Sequence, residues 1–137
     1  MPSSDVSLVW PMAITDGKVS PISGLSTVGD FAYTVSGLRY VQIDLGAIYA
    51  VDKVRVYHFY NNGRAYYGTR TQVSADGIFW VTVFDSAILG EYPETPSGRT
   101  TTFAQQGVRY VRDYLNGSTS NTGNHWVEIE VWGNPIP

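Results

Sequence analysis

RYVRDYL, from Arg109 to Leu115, and HWVEIEVWG, from His125 to Gly133, are the two stretches that decide the fold of this chain. Apolar and acidic residues alternate in the second stretch, with Val127, Ile129 and Val131 on one face and Glu128 and Glu130 on the other. A period of two residues predicts half-buried β-strands. The loop between them, from Asn116 to Asn124, contains only Gly, Ser, Thr and Asn. A polar loop anchored on two rigid strands is typical of a binding site.

The chain upstream of these stretches shows the same alternation. Further strands are predicted in YVQIDLG (40–46), KVRVYHFY (53–60), both sides of Ala75–Gly77, and 100–103. Asp76-Gly77 between two alternating runs predicts a hairpin turn. Pro93 and Pro96 place the segment 91–98 in a surface loop, because proline cannot donate to a strand ladder.

Short strands separated by turns predict an all-β fold. Four Trp, ten Tyr, five Phe and 14 Gly suit a β-rich domain with many tight loops. We expect an antiparallel β-sandwich of the jelly-roll type, in which two sheets pack their apolar faces together. A closed barrel is the alternative.

The length of 137 residues predicts a single domain over residues 1–137, with residues 134–137 as the start of a linker. A chain of this size buries roughly two thirds of its unfolded surface without a staple. It contains no cysteine, so neither disulfides nor thiolate metal sites are available.

The charge of the chain excludes one class of partner. Nine Lys and Arg are outnumbered by 12 Asp and Glu, giving a net charge of −3. This balance argues against nucleic acid, whose binding needs a basic surface. No apolar run reaches the roughly 20 residues of a transmembrane helix, and the amino terminus lacks the basic and apolar regions of a signal peptide.

Six motifs in order resemble those of the discoidin, or coagulation factor 5/8 type C, domain family. They are ITDG (14–17), VQIDLG (41–46), KVRVY (53–57), VSADGIFW (73–80), VRYVR (108–112) and VEIEVWG (127–133). Because the terminal cysteine pair of the family is absent, the chain is similar to bacterial and phage members, particularly family 32 carbohydrate-binding modules. The resemblance implies a galactose-binding-like jelly roll with a ligand site in the loops at one end.

The resemblance also implies a structural calcium ion. The family pattern places an aspartate in the early DG motif and a glutamate in the last strand, which correspond to Asp16 and Glu128. Calcium takes six to eight oxygen ligands. The loop 18–30 is expected to supply the remainder, including the hydroxyl of Thr27 or Ser26. The chain departs from the family pattern after Gly17, where the usual threonine and tryptophan are missing.

Carbohydrate recognition needs an aromatic ring for stacking and planar groups that hydrogen-bond sugar hydroxyls. The aromatic candidates are Tyr33, Tyr66, Tyr67 and Trp126, and the hydrogen-bonding candidates are Asn62, Arg64, Asn124 and His125. Trp126 is equally consistent with a core aromatic at the start of a strand. His58 is expected in the interior or at the rim of the sandwich rather than as a ligand contact. Trp80 and Trp132 are expected in the core, and Arg109 or Arg112 should pair with Asp44 or Asp113.

No nucleophile with a base and no convergent pair of carboxylates stands out, so we expect no catalysis. The sequence therefore favours a non-catalytic, lectin-like module that binds a glycan or polysaccharide and is attached to an enzyme or a cell surface. The alternative is a phage or cell-surface structural domain that acts through protein contacts. Either places the chain outside the cell or in a phage particle. Binding to a phosphatidylserine membrane is disfavoured, because the 116–124 loop lacks apolar tips and basic neighbours.

Overall fold

A computed structural model describes residues 6–7, 32–34 and 36–135. Its elements are β1 (Val6–Ser7), β2 (Ala32–Thr34), β3 (Arg39–His58), β4 (Arg70–Ser74), β5 (Val81–Asp85), a four-residue helix α1 (Ser86–Leu89), β6 (Arg99–Leu115) and β7 (Asn124–Pro135). All pairings between these strands are antiparallel, in the order β1-β2-β7-β3-β6-β4-β5. No helix of the described segments has the length and apolarity needed to cross a bilayer.

β3 and β6 belong to both layers of the fold. The start of β3 pairs with the end of β6, Arg39 opposite Leu115, whereas the end of β3 pairs with the start of β6, Val56 opposite Arg99. The register shifts between Asp44 and Tyr49, where β3 passes from one layer to the other. This bend is at the end of the sandwich opposite the first and last residues of β3. One layer thus contains β5, β4 and the first half of β3, and the other contains β7 and the second half of β3. The predicted β-sandwich is confirmed.

Branched side chains fill the space between the layers. Valines from both halves of β3, from β4 and from β6 are at most 1% exposed in this space: Val41, Val51, Val54, Val56, Val73, Val108 and Val111. β-branched residues pack well on a pleated surface. The alternation read from the sequence therefore marks the buried face of β3, β4 and β6.

A bulge in β7 changes the expected alternation there. Tyr57 pairs with Glu128, but His58 pairs with Trp126, so Val127 is an extra residue in β7. Val127 consequently packs with Tyr57 and Phe59, while Ile129 belongs to the main core. The expectation that Val127 and Ile129 share one face is wrong.

The predicted hairpin turn is confirmed. β4 and β5 flank residues 75–80, and the Asp76 carboxylate accepts hydrogen bonds from the backbone N–H groups of Ile78 (2.8 Å) and Phe79 (3.0 Å). Gly77 has φ +78°, a conformation that glycine adopts without strain. This turn lies at the end of the sandwich opposite the β3–β4 and β6–β7 loops.

Four other expectations need correction. Trp132 is 36% exposed, with the Lys53 ammonium 4.3 Å from its ring centroid, and is not a core residue. Trp80, also expected in the core, is half-buried with the Arg112 guanidinium 4.0 Å from its ring centroid. Glu94, expected in a surface loop, is only 3% exposed. β7 extends through Asn134 to Pro135, so the start of the expected linker is partly strand. The expected arginine pair is confirmed, because Arg109 donates to both carboxylate oxygens of Asp44 at 2.9 and 3.1 Å.

Candidate functional site

Two loops lie side by side at one end of the sandwich. The β3–β4 loop spans residues 59–69 and the β6–β7 loop spans 116–123. The N–H of Tyr67 donates to the carbonyl of Gly117 (2.9 Å), and the N–H of Asn116 donates to the carbonyl of Tyr67 (2.7 Å). A third bond joins Thr119 N–H to the Ala65 carbonyl at 2.9 Å. These backbone bonds hold the two loops together as one surface.

Asn124 braces this surface from below. Its side-chain oxygen accepts from the N–H of Gly117 at 2.6 Å, and its side-chain nitrogen donates to the carbonyl of Gly37 at 3.0 Å. The residue is fully buried. Asn124 therefore positions the loops, and its expected contact with a sugar is wrong.

Two of the predicted aromatic platforms are also buried. Trp126 has no exposed surface, and its indole N–H donates to the Asp113 carboxylate at 2.9 Å. Tyr66 is 1% exposed, and its hydroxyl donates to the Phe59 carbonyl at 3.1 Å. Neither ring offers a face to a ligand, so their assignment as stacking platforms is wrong. Each is instead a core aromatic whose polar atom has found a buried partner.

A buried charged network lies beneath the loops. The two ring nitrogens of His58 contact Glu94 Oε2 at 2.8 Å and Asp113 Oδ2 at 2.6 Å, and all three side chains are buried. Burial alone would lower the pKa of His58, but attraction to the two carboxylates outweighs it and raises the pKa to about 9. The imidazole is thus positively charged at neutral pH, as expected for an interior histidine with ionic partners.

Asp113 connects this network to the neighbouring strands. Burial would raise the pKa of Asp113, yet the charge and hydrogen bond of His58 hold it below its usual value. Thr71 donates to Asp113 at 2.6 Å, and the Arg99 guanidinium approaches Asp113 to 3.8 Å. Although histidine and two carboxylates converge here, no substrate can reach them, so the network is structural.

Phe59 and Arg64 of the β3–β4 loop form a cluster with His125 of β7, which we call the rim cluster. The Arg64 guanidinium lies 4.8 Å from the Phe59 ring centroid, and the His125 ring centroid lies 6.0 Å from it. Arg64 is 7% exposed and His125 is half-buried. Burial and, to a lesser extent, the Arg64 charge lower the pKa of His125 to about 4. His125 is therefore neutral at pH 7 and can both donate and accept a hydrogen bond.

The loops also enclose a polar pocket beside Tyr67. Its volume is about 160 Å³, and its walls are Ser36, Gly37, Tyr67, Asn116, Gly117, Ser118, Asn121 and Thr122. Tyr67 is 40% exposed, the most exposed of the predicted platforms whose side chains are described. The hydroxyl of Ser36 donates to that of Thr122 at 3.0 Å across the pocket. Asn116, Asn121 and Thr122 were not singled out from the sequence, although the composition of their loop pointed to them.

The remaining carbohydrate candidates lie near this pocket or outside the described part of the chain. Asn62 is exposed, and its side-chain oxygen accepts from the Ser120 hydroxyl at 2.9 Å. The backbone of Tyr33 pairs with His125 in the β2–β7 ladder. Its side chain lies outside the described residues.

The predicted calcium ligands can be located only in part. Asp16 and Thr27 lie outside the described residues. Glu128 lies in β7 and is 2% exposed, which differs from a solvated strand residue. A buried carboxylate with hard oxygen donors suits calcium in its chemistry. Within residues 36–135 and the two short described segments, no group of three His, Asp or Glu side chains is arranged to hold a metal.

Solved structures with the same fold include several carbohydrate-binding modules. The CBM32 of AlyQ, in complex with 4,5-unsaturated mannuronic acid, shares 20% identity over 96% of this chain and 92% of its own, with a TM-score of 0.73. A pectin-binding carbohydrate-binding module shares 20% identity over 94% of this chain and 84% of its own, with a TM-score of 0.70. At these identities the likeness establishes the fold.

The same fold also occurs as part of larger enzymes. The family 89 glycoside hydrolase from Clostridium perfringens matches 99% of this chain at 15% identity and a TM-score of 0.75, but this chain spans only 14% of that enzyme. No curated protein matches the chain significantly. The sequence profile of the F5/8 type C domain matches residues 7–131, nearly the whole chain. The chain therefore belongs to the F5/8 type C domain family.

Proposed function

We propose that this domain is a non-catalytic module that binds a glycan in the polar pocket beside Tyr67. One observation carries the proposal: an exposed aromatic ring stands among the amides and hydroxyls of two loops that are fixed to each other. The ring can stack on the C–H face of a sugar, while Asn116, Asn121 and Thr122 can bond its hydroxyls. Fixed loops reduce the ordering entropy that binding costs.

The rim cluster supports this pocket. Phe59 and Arg64 are mostly buried, so they hold the β3–β4 loop in shape and present only an edge to solvent. Neutral His125 and exposed Asn62 add hydrogen-bonding groups at the margin of the same surface. The sequence-based assignment of Arg64 to direct sugar contact thus gives way to a positioning role.

The ligands and the domain contexts of related structures support the proposal. One neighbour was solved with a uronic acid derivative and another is described as binding pectin, and the fold occurs attached to a glycoside hydrolase. By the same reasoning the domain acts outside the cell, linked to an enzyme or a surface. A single shallow site gains strength when several are linked, because the second binding event becomes intramolecular.

A glycan array with neutral and acidic sugars tests the proposal. We expect selective binding by the wild type, at least about a tenfold loss in Tyr67→Ala, and no loss in Phe79→Ala. Phe79 is the matched control because it is 78% exposed and lies on the turn at the opposite end. A folded wild-type protein that binds no glycan would overturn the proposal, and a Tyr67→Ala variant with wild-type binding would exclude this pocket.

We also propose a structural calcium ion held in part by Glu128, with Asp16 and Thr27 as the other predicted ligands. The ion would offset the charge of a carboxylate that is 2% exposed. Calcium at a hundredfold excess over its Kd should stabilise the fold by about 2.7 kcal/mol.

Thermal unfolding with calcium and with a chelator tests this assignment. Calcium should raise the Tm of the wild type and of Glu130→Gln, the neighbouring control on the same strand, but not that of Glu128→Gln. A wild-type Tm that is identical under both conditions rules the ion out.

One observation favours a second candidate function, assembly through protein contacts. Ile88 and Leu89 of α1 are 80% and 68% exposed, next to β5, which pairs only with β4 among the described strands. Exposed apolar residues beside an edge strand are typical of an interface. If the domain assembles through this surface, size-exclusion chromatography should show a dimer that Ile88→Glu abolishes. A monomer at all concentrations would exclude assembly through it.

A further inference from the structure

The outer face of the layer built from β3, β6 and β4 carries aromatic rings and planar polar side chains in a regular arrangement. The register places Tyr114 between Tyr40 and Arg70 in one row, and Arg112 between Gln42 and Gln72 in the next. All six side chains are half-buried, while the intervening residues of the same strands face the core. Neighbours within a row are separated by the strand spacing of roughly 4.8 Å, and the two rows lie two residues, or roughly 6.8 Å, apart along the strands; both distances are on the order of one pyranose ring.

The rings and guanidinium groups of this face contact each other. The ring centroids of Tyr40 and Tyr114 are 5.0 Å apart, and the Arg70 guanidinium lies 4.3 Å from the Tyr114 centroid. The Arg112 guanidinium lies 4.4 Å from Tyr40 and 4.0 Å from Trp80. Contact with an aromatic ring restrains each guanidinium group and leaves its terminal N–H groups for a planar acceptor.

The positive charge of this face is not neutralised by the described residues. Arg55, Arg99 and Arg109 each have a carboxylate within 4.0 Å, whereas Arg70 and Arg112 have none in residues 36–135. Asp85 lies opposite Arg70 in the ladder, but its carboxylate caps α1 by accepting from Ala87 N–H at 2.9 Å. Arg112 donates its Nε to Gln42 at 2.8 Å, and Arg70 Nε is buried without a hydrogen-bond partner.

We propose that this face is a second binding surface and that it takes an acidic polysaccharide, a chain of uronic acid units. Two fixed guanidinium groups match carboxylates of successive sugars, because the planar fork donates two parallel hydrogen bonds to the paired oxygens of a carboxylate. The amides of Gln42 and Gln72 match hydroxyls, and the tyrosine rings match C–H faces.

The face continues into the polar pocket, so one long polymer can contact both. Asn116 lines the pocket and follows Tyr114 by two residues. Leu38, which is 52% exposed, directly precedes β3, and its side chain lies close to that of Asn116 beside Gly68. This inference rests on the proposed function only in taking the ligand to be a glycan. The pocket would hold a terminal or branching sugar, and the face would hold the acidic chain.

Binding to polygalacturonate and to its fully methyl-esterified form separates the two surfaces. The ester keeps the rings but removes the charge. We expect the double variant Arg70→Gln/Arg112→Gln to lose at least about tenfold affinity for the acid polymer, while the matched control Arg55→Gln, also stacked on an aromatic but on the other layer, stays at the wild-type value. Binding of the wild type to the acid polymer should weaken with salt and exceed its binding to the ester.

NMR of the wild type gives a test that does not depend on a variant folding. Adding a galacturonate oligomer should shift the side-chain amide signals of Gln42 and Gln72 but not those of Gln105 and Gln106, which lie at the opposite end of the sandwich. Unmoved Gln42 and Gln72 signals, or a double variant that binds like wild type, would overturn the second surface while leaving the Tyr67 pocket intact. If polyglutamate bound as tightly as polygalacturonate, the face would recognise charge alone, and the proposal of a polysaccharide surface would also be overturned. A wild type that binds neither polymer nor any arrayed glycan would sink both proposals.

Discussion

At the scale of single residues, the two histidines of this chain have opposite environments. His58 lies between two buried carboxylates and has a pKa raised to about 9, whereas His125, half-buried beside Arg64, has a pKa lowered to about 4. NMR titration of the two imidazoles should therefore give two curves on either side of the ordinary value of 6.5. A curve centred near 6.5 for either ring would contradict the environment described for it.

The same shift predicts how stability depends on pH. Because the pKa of His58 is higher in the folded chain than in the unfolded one, its contribution is complete below pH 6.5 and is lost as pH rises through about 9. The free energy of unfolding should fall in that window by up to about 1.4 kcal/mol per pH unit. Urea unfolding at several pH values measures it, and His58→Gln should remove the slope. A wild-type stability that is flat from pH 6.5 to 9 would be inconsistent with a charged His58.

Trp126 and Trp132 differ in what their rings contact. Trp126 is fully buried and donates to Asp113, while Trp132 is 36% exposed beneath Lys53. We expect Trp126→Phe to destabilise the fold by roughly 2–3 kcal/mol, because a hydrogen bond to a buried charge and packed volume are both lost. Trp132→Phe should cost less than about 1 kcal/mol. Denaturant unfolding decides, and equal losses would contradict the assignment of Trp126 to the core.

At the scale of elements, the entry into β6 depends on a glycine. Gly98 has φ +72°, and a Cβ there would lie 2.7 Å from the Tyr57 ring and 2.9 Å from the Val56 carbonyl. Gly90 also has positive φ, +97°, but a Cβ there meets nothing within 4 Å. Gly98→Ala should therefore destabilise the domain by about 1–3 kcal/mol more than Gly90→Ala. Thermal unfolding of both variants tests the difference, and similar Tm values would count against the crowding at Gly98.

The strands themselves were predictable, but the faces of side chains near strand ends were not. Alternation identified β3 and β4 because each has a buried face, and it also identified β5 and β7. No residue of β5 is fully buried, however, and four consecutive residues of β7, from Trp126 to Ile129, are buried. The bulge at Val127 adds a residue, and period-two counting carries no sign of it. Tyr66 and Tyr67 are adjacent, so one must face inward, yet the sequence does not say which. The loop composition pointed to the pocket proposed as the site, while tertiary burial places Tyr66, Asn124 and Trp126 beneath its surface.

At the scale of the whole molecule, both layers share strands. β3 and β6 each contribute to both layers, so neither layer can lose its pairing without disturbing the other. Unfolding should therefore be a single transition, with far-ultraviolet circular dichroism and tryptophan fluorescence changing together. The fluorescence of Trp126 reports on the space between the layers, and that of Trp80 reports on the outer face. Two separated transitions would show that the layers unfold independently.

The way Asn124 and Gly117 close the β6–β7 loop makes this domain a scaffold that can accept new specificities. The side chain of Asn124 fixes the base of the loop, whereas Ser120, Asn121 and Thr122 are exposed and bear no core contacts. Randomising these three positions should leave the sandwich intact while altering what the proposed glycan pocket recognises. On that proposal, gene duplication followed by drift at the loop tip would produce paralogues with different glycan preferences, and directed evolution can use the same positions.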